Sequence, residues 1–392
     1  MTREVWLDFL RVTACFMVMV VHSTEPFYLG GDGTLVLSAT DAFWVSLFES
    51  VCRCCVPLFV IASSYLQFPI HYSTGEFFRR RAVRILVPMA LWTVVYALVW
   101  GEPVANFKGL LLNFNYAAGH LWFVYMLVGL YLIMPLLSPW AAKVSRRELE
   151  VYIGICLITT LFPFVREAGG APVLLFAADG LPAAAWQPLW GEASWNPFGT
   201  FYYLSGFIGY LLVGLYIRRF VSNSRLTGVL GWSMFLLGAV LICHGFLQRM
   251  SASADSFPIS GPVDVAVGWE AAISFCGLPV ALTAVGLVLV FRRIGSSSAQ
   301  VPSFPASTGN LYRYLVLPLS KAGYGMYLMH MLVLASVSAW MRSWLGIGPD
   351  GVLGVWTTPV QILGTALLSF VAVGLLAVLL QRIPRLGKYI IG

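Results

Sequence analysis

Three ionisable residues with the potential for chemistry lie in the first apolar segment of the chain. Asp8, Arg11 and His22 are embedded in WLDFLRVTACFMVMVVHS, which is otherwise apolar enough to lie in lipid. Arg11 and His22 are eleven residues apart, so on a helix they share a face, separated by roughly 16 Å along the axis. Since ionisable groups at membrane depth are costly, this face is predicted to line a protein interior or a wet cavity. The alternative is an Asp8–Arg11 pair at the cytoplasmic boundary and an interfacial His22.

Arg53 lies near the middle of the second apolar segment, where a cation needs an anionic partner. Glu49, one helical turn earlier, is the simplest partner. The functional alternative is a ligand with a phosphate or a thioester. Pro57 is predicted to kink this segment and to free a backbone carbonyl near Arg53 or Cys54, an irregularity that is tolerated where a cavity is lined.

Four arginines precede the third apolar segment, in FFRRRAVRILVP. Arg81 and Arg84 are three residues apart and would share a face at the start of a helix, with Arg79 and Arg80 before them. Such clusters commonly anchor a loop and set topology. They can also bind phosphates, because a helix N-terminus adds favourable partial charge.

Two further histidines could meet His22. His120 begins the fourth apolar segment, and His330 lies in the outer half of the ninth. Three histidines at comparable depth on different helices indicate proton-transfer chemistry more strongly than one alone. His244 lacks polar neighbours and is interpreted as structural.

The elements that must position these residues are membrane helices. The chain has 392 residues, of which 59% are hydrophobic and only 10% are charged, with a mean hydropathy of +0.81. This composition predicts an all-α polytopic membrane protein with a single transmembrane domain over residues 1–392. Ten apolar segments are candidates to cross, at about 5–23, 43–69, 82–100, 119–138, 150–166, 198–217, 228–248, 268–291, 314–340 and 357–380.

The basic residues predict the orientation of these segments. Of the 24 Lys and Arg residues, 18 fall on one side if the N- and C-termini are cytoplasmic, as the positive-inside rule requires. The net charge of +7 therefore reflects membrane topology, and no nucleic-acid partner is predicted. The seven cysteines include three in one apolar segment, Cys52, Cys54 and Cys55. They are interpreted as small buried hydrophobes, and no metal site is predicted.

Five motifs in order resemble the acyltransferase family 3 of integral-membrane O-acyltransferases. They are WLDFLRVTACFMVMVVH with its Arg-x10-His spacing, RCCVPLFVIASSYL, RRRAVRILVP, HLWFVYMLVGLYLIMPLL and AGYGMYLMH. One departure is Ser64, where the family usually has Gly. No extracytoplasmic esterase-like domain follows the tenth segment, which is expected of a stand-alone member.

The resemblance implies O-acetylation of a cell-envelope polysaccharide or glycolipid, with acetyl-CoA or another acyl-CoA as donor. It implies a multi-pass protein of the inner, cytoplasmic membrane. By this resemblance His22 is the catalytic histidine, Arg11 is its motif partner, and Arg81 and Arg84 bind the donor. Arg53 is the intramembrane arginine of the second motif, and His120 and His330 occupy motif positions.

The polar residues themselves also suggest a route by which the acyl donor could cross the membrane. Acyl-CoA is cytoplasmic whereas surface glycans are modified outside, so the thioester must cross most of the bilayer. Arg81 and Arg84 would hold phosphates at the inner mouth, with Arg11 and Arg53 deeper and His22 near the outer end.

His22 is predicted to act as general base on the acceptor hydroxyl, with Glu25 orienting it. His120, His330 or Tyr327 could donate a hydrogen bond to the oxyanion, and a covalent acyl-enzyme is the other chemical possibility. The rival function is a transporter that exports an acylated or lipid-linked glycan without chemistry, and a structural scaffold is a third. The acceptor is expected to be a surface glycan or a lipid-linked sugar, but its identity stays open. The length of the acyl group and homo-oligomerisation within the membrane lipid stay open as well.

Overall fold

The computed structural model confirms an all-α polytopic membrane protein. It describes residues 3–30, 33–100, 118–162, 164–165, 191, 198–296, 306–345 and 357–392. Among these residues, eight helical spans are long and apolar enough to cross a membrane. The cytoplasmic position of the termini stays a prediction.

The structure contains fifteen α-helices and three short strands within the described residues. The helices are α1 (Val5–Thr24), α2 (Ala39–Cys52), α3 (Cys55–Gln67), α4 (Thr74–Arg81), α5 (Val87–Val99), α6 (Trp122–Lys143), α7 (Arg146–Thr159), α8 (Ile208–Phe220), α9 (Arg225–Ser253), α10 (Val263–Trp269), α11 (Leu278–Ser296), α12 (Ala306–Leu311), α13 (Leu317–Trp344), α14 (Thr357–Gln381) and α15 (Gly387–Ile390). The strands are β1 (Leu29–Gly30), β2 (Gly33–Val36) and β3 (Ile259–Gly261).

The predicted fifth, sixth and eighth segments differ most from the structure. Helices α7 and α8 have 14 and 13 residues, or about 20 Å each, which is short of a hydrocarbon core of about 30 Å. The eighth segment, predicted from residue 268, is interrupted after α10 by a 3₁₀ turn, Glu270–Ile273, and its long helix begins only at Leu278. Eight spans rather than ten therefore meet the length requirement within the described part of the chain.

The third span begins eight residues before the predicted start at 82. Ser73 caps it by accepting a hydrogen bond from the backbone amide of Glu76 at 3.3 Å, and the span continues through a π-helical turn, Ala82–Leu86, into α5. The sequence TGEFFRRR is polar, so an apolar run could not reveal this start. Arg81 and Arg84 consequently lie inside the span, and the predicted contribution of a helix N-terminus to phosphate binding there is wrong.

The predicted irregularity in the second span is confirmed. Helix α2 ends at Cys52 and α3 begins at Cys55, with Pro57 in the first turn of α3. Proline has no N–H and cannot complete the helical hydrogen bonds of the preceding turn. Arg53 lies at this break, which directs its side chain between helices.

A small three-stranded antiparallel sheet joins two distant segments at one end of the helices, and it was not predicted. Strand β2 pairs with β1 through Leu29 and Thr34, and with β3 through Leu35 and Ser260. The sheet thereby connects the segment after α1 to the segment before α11.

The centre of the fold is α1, which packs against α2, α3, α11, α13 and α14. The α2–α3 span is 72% buried and the α1 span 61%, the highest fractions among the eight spans of the described residues. The polar residues of α1 are therefore enclosed by protein rather than lipid, as costly ionisable groups require.

Candidate active site

Asp8 anchors the N-terminal end of α1. Its carboxylate accepts hydrogen bonds from the guanidinium of Arg3 at 2.7 and 2.9 Å, from the hydroxyl of Tyr312 at 2.8 Å and from that of Ser320 at 2.6 Å. The hydrogen bond to Asp8 raises the pKa of Arg3 above its usual value. The alternative Asp8–Arg11 pair is therefore wrong, and among the described residues Arg11 has no carboxylate partner.

His22, at the other end of α1, is hydrogen-bonded to Glu25. Nδ1 of His22 lies 2.8 Å from Oε1 of the carboxylate, and Glu25 begins the 3₁₀ turn that follows α1. A carboxylate partner fixes the Nδ1–H tautomer, which leaves Nε2 as the basic nitrogen. Nε2 of His22 has no hydrogen-bond partner within the described part of the chain, so it can accept a proton.

The three histidines singled out in the sequence meet in one cluster. The ring of His330 lies 5.1 Å from that of His22 and 5.0 Å from that of His120, centroid to centroid. Nε2 of His120 and Nε2 of His330 are both buried without a hydrogen-bond partner. By contrast His244 is exposed on α9 and lies outside this cluster.

A cavity of about 200 Å³ opens beside this cluster, at the end of α1 that the distribution of basic residues predicts to face outward, and we call it the outer cavity. His22, Glu25, Arg53 and His120 all line it, whereas His330 does not. His330 is fully buried and hydrogen-bonds the carbonyl of its own helix at Tyr327, 2.5 Å from Nδ1. The structure therefore puts His330 behind the two cavity-lining histidines.

Arg53 lines the outer cavity between two carboxylates. Its Nη1 lies 3.5 Å from Glu49, its Nη2 lies 4.0 Å from Glu270, and its Nε donates to the carbonyl of Ile273 at 3.2 Å. The guanidinium also lies 4.5 Å from the ring centroid of Phe275, a cation–π contact. Glu49 is thus a partner of Arg53, as the sequence suggested, but Arg53 belongs to the outer cavity rather than to a route deeper from the inner mouth.

Glu270 is a cavity-lining residue that sequence reasoning missed. It accepts a hydrogen bond from the hydroxyl of Tyr28 at 2.9 Å and lies in the 3₁₀ turn between α10 and α11. The only signal was an acidic residue in an otherwise apolar stretch, GWEAAISF. The pairing of β2 with β3 is what carries it to the end of α1.

A second cavity, of about 370 Å³, lies at the opposite end of α1, which is predicted to face the cytoplasm, and we call it the inner cavity. Among the described residues, no Asp or Glu lines it, whereas five cationic side chains do: Arg3, Arg11, Arg81, Arg84 and Lys321. The predicted donor-side arginines are therefore brought together with Arg11.

The cations of the inner cavity differ in how firmly they are held. The guanidinium of Arg81 lies 4.8 Å from the ring of Phe77 and 5.0 Å from that of Tyr131, and its Nε is buried without a hydrogen-bond partner. Arg84 and Lys321 are exposed and have no carboxylate partner among the described residues. Lys321 was not predicted, although it immediately precedes AGYGMYLMH on the same helix.

Tyr327 lines both cavities. Its hydroxyl donates a very short hydrogen bond to the backbone carbonyl of His120. Because this proton is already donated, Tyr327 is not available to stabilise an oxyanion, one of the roles considered from the sequence. Its contribution is to hold α13 against the segment that begins α6.

The described residues contain no group of three or more His, Cys, Asp or Glu arranged to hold a metal ion. All seven cysteines are free thiols.

Comparison with known proteins gives one match. A family described as an acyltransferase domain, acyltransferase family 3, matches residues 4–378. No curated protein and no solved structure matches the chain.

Proposed function

This chain belongs to acyltransferase family 3 and is a multi-pass membrane acyltransferase, and we propose that it transfers an acetyl group from acetyl-CoA to an external hydroxyl. The donor binds from the cytoplasm. The acceptor is a cell-surface glycan or a lipid-linked sugar reached at the outer face of the inner, cytoplasmic membrane.

The inner cavity supplies the donor site. Coenzyme A carries phosphates, and planar guanidinium groups bind phosphate oxygens with two hydrogen bonds at once. Arg11, Arg84 and Lys321 are free of carboxylate partners within the described residues and face one cavity. Such a concentration of unpaired cations without an acidic side chain favours a polyanionic ligand.

The outer cavity supplies the acid–base chemistry. Nε2 of His22 takes the proton of the acceptor hydroxyl while the hydroxyl oxygen attacks the carbonyl carbon of the thioester. Glu25, 2.8 Å from Nδ1, stabilises the imidazolium that forms. The C–S bond then breaks, the acceptor oxygen keeps the acetyl group, and the imidazolium returns its proton to the leaving thiolate, which gives an ester and free coenzyme A.

The tetrahedral intermediate carries a negative charge on oxygen that needs a donor or a cation. His120 supports this role because it lines the cavity and its buried Nε2 has no partner. Arg53 lines the same cavity, and its guanidinium keeps N–H donors for the intermediate, since its carboxylate neighbours at 3.5 and 4.0 Å are too distant for strong hydrogen bonds.

The observation that carries the proposal is the position of α1 as the common wall of both cavities. Arg11 and Cys15 line the inner cavity, whereas Val18 and His22 line the outer one. The roughly 16 Å between Arg11 and His22 is comparable with an extended pantetheine arm. A donor with its phosphates on the inner arginines would therefore present its thioester near His22.

The test uses membranes that contain the full-length protein and acetyl-CoA labelled in the acetyl group. We expect label to accumulate in the glycan or glycolipid fraction as an ester that mild base removes. Membranes without the protein should show no such label, and membranes with the His22→Ala variant should accumulate it at least about a hundredfold more slowly.

The rival function is export of a lipid-linked glycan without chemistry. Movement of glycan that depends on the protein, with no labelled ester and no consumption of acetyl-CoA, would favour that rival and contradict the proposal.

A further inference from the structure

The inner and outer cavities have three lining residues in common: Phe59, Phe123 and Tyr327. Their rings form a contiguous row. The centroids of Phe59 and Phe123 are 6.0 Å apart, and those of Phe123 and Tyr327 are 5.3 Å apart. We call this row the aromatic constriction.

Each ring comes from a different helix. Phe59 lies on α3, just after the break at Arg53, Phe123 lies in the first turn of α6, and Tyr327 lies in the middle of α13. Only Tyr327 is fixed by a hydrogen bond, from its hydroxyl to the carbonyl of His120. The two phenylalanines are held by packing alone, so their rings can turn without breaking a polar contact.

The aromatic constriction lies where the residues that α1 contributes to the two cavities change. On the inner side α1 presents Arg11 and Cys15, and on the outer side it presents Val18 and His22. The outer cavity is lined by polar groups as well as apolar ones, with Glu25 and Glu270 among them, and a cavity of this size with several polar partners has room for water. A general base that activates a sugar hydroxyl activates water equally well, so a thioester exposed to this cavity would be hydrolysed.

We propose that Phe59 and Phe123 are specificity-determining residues that decide between acyl transfer and hydrolysis. In the absence of acceptor, the two rings and Tyr327 keep the thioester on the inner side and water on the outer side. When an acceptor fills the outer cavity and displaces water, the acyl end of the donor passes between the rings to His22. This inference rests on the proposed donor and acceptor sites.

The constriction suppresses one reaction, hydrolysis of the thioester by water. Nε2 of His22 removes a proton from water, the water oxygen bonds to the thioester carbonyl carbon, and the C–S bond breaks. The thiolate takes the proton from the imidazolium, which leaves acetic acid and free coenzyme A. Excluding water from a reactive intermediate is a recognised function of closed active sites.

The experiment needs no acceptor. Purified full-length protein in lipid nanodiscs is incubated with acetyl-CoA alone, and release of the coenzyme A thiol is followed with a thiol reagent. In Phe123→Ala and in Phe59→Ala we expect acceptor-independent release to rise by about tenfold over wild type, since the barrier to water is removed. Phe123→Leu, which keeps part of the bulk, should give an intermediate rise.

Two controls separate the constriction from general loosening of the fold. Phe370 forms a comparable aromatic pair with Phe16, with ring centroids 5.6 Å apart, and neither residue lines a cavity. In Phe370→Ala, release of coenzyme A should therefore stay at the wild-type rate. Adding His22→Ala to Phe123→Ala should abolish the increase, because the water then has no base.

Acetyl-CoA binding, measured on the same samples by isothermal titration, distinguishes the two proposals. Phenylalanine variants that bind acetyl-CoA like wild type but release coenzyme A no faster would overturn the constriction and leave the proposed function standing. A rise that persists without His22 would also overturn it. Failure of folded wild-type protein to bind acetyl-CoA would overturn the proposed function, and the inference with it.

Discussion

The inner and outer cavities both lie along α1 and differ in their charge. The inner cavity collects five cationic side chains and no acidic side chain of the described residues, whereas the outer one contains Glu25 and Glu270 together with Arg53 and two histidines. A cavity with charge of one sign attracts a ligand of opposite charge, and a cavity with both signs and a hydrogen-bonded histidine can move a proton without binding a highly charged molecule. From this comparison we propose that donor binding and chemistry belong to opposite ends of α1.

The largest expected effect comes from removing the base. His22→Ala should lower transfer to the acceptor by about 10²–10⁴-fold, the usual contribution of a positioned general base, as measured by formation of labelled ester in membranes. His244→Ala, on the exposed face of α9, is the matched control and should retain full transfer. Transfer by the His22 variant within a few-fold of wild type would assign the chemistry elsewhere.

A smaller effect is expected from the residue that orients the base. Glu25→Gln keeps a hydrogen-bonding group of the same size but loses the charge, so kcat should fall about 10- to 100-fold, as for other groups that orient a functional histidine. The KM for acetyl-CoA should be unchanged, because Glu25 lines only the outer cavity. A higher KM for acetyl-CoA with unchanged kcat would contradict the assignment of donor binding to the inner cavity alone.

The inner cavity should show the reverse behaviour. Arg11→Ala should weaken acetyl-CoA binding about tenfold, as expected for loss of one charge-assisted hydrogen bond, and the remaining affinity should fall less steeply with salt. Arg79→Ala is the control, since Arg79 is exposed on α4 and does not line the inner cavity. Equal losses in both variants would mean that the arginines act only as a general surface charge.

The smallest effect concerns the anchor of the shared helix. Tyr312→Phe removes the hydrogen bond to Asp8 and should destabilise the protein by about 1 kcal/mol, seen as a lower Tm in detergent. Tyr314→Phe, two residues away and 73% exposed, should leave the Tm unchanged. If the two variants unfold at the same temperature, the Asp8 contacts do not stabilise the inner end of α1.

Much of this contrast could be predicted from local patterns. Arg11 and His22 were assigned to one face from helical periodicity, and the break near Arg53 from Pro57. The structure brings Arg81 and Arg84 together with Arg11, and it brings His120 to His22. These features follow from spacing within one segment or from the order of motifs along the chain.

The rest depends on contacts between distant segments. Glu270 lies beside Arg53 only because β2 pairs with β3, more than 220 residues further along the chain. The aromatic constriction requires three helices to converge, and phenylalanines are too common in apolar segments to be noticed singly. Periodicity also says nothing about whether His330 lines a cavity or lies behind one.

The most direct test of the account is acetyl-CoA binding to the purified protein, with wild type, Arg84→Ala and His22→Ala compared side by side. We expect saturable binding that is weakened about tenfold by loss of the inner arginine and unchanged by loss of the outer histidine. Binding that depends on His22 and not on Arg84, or no binding of acetyl-CoA by folded protein, would contradict the division of donor binding and chemistry between the two ends of α1.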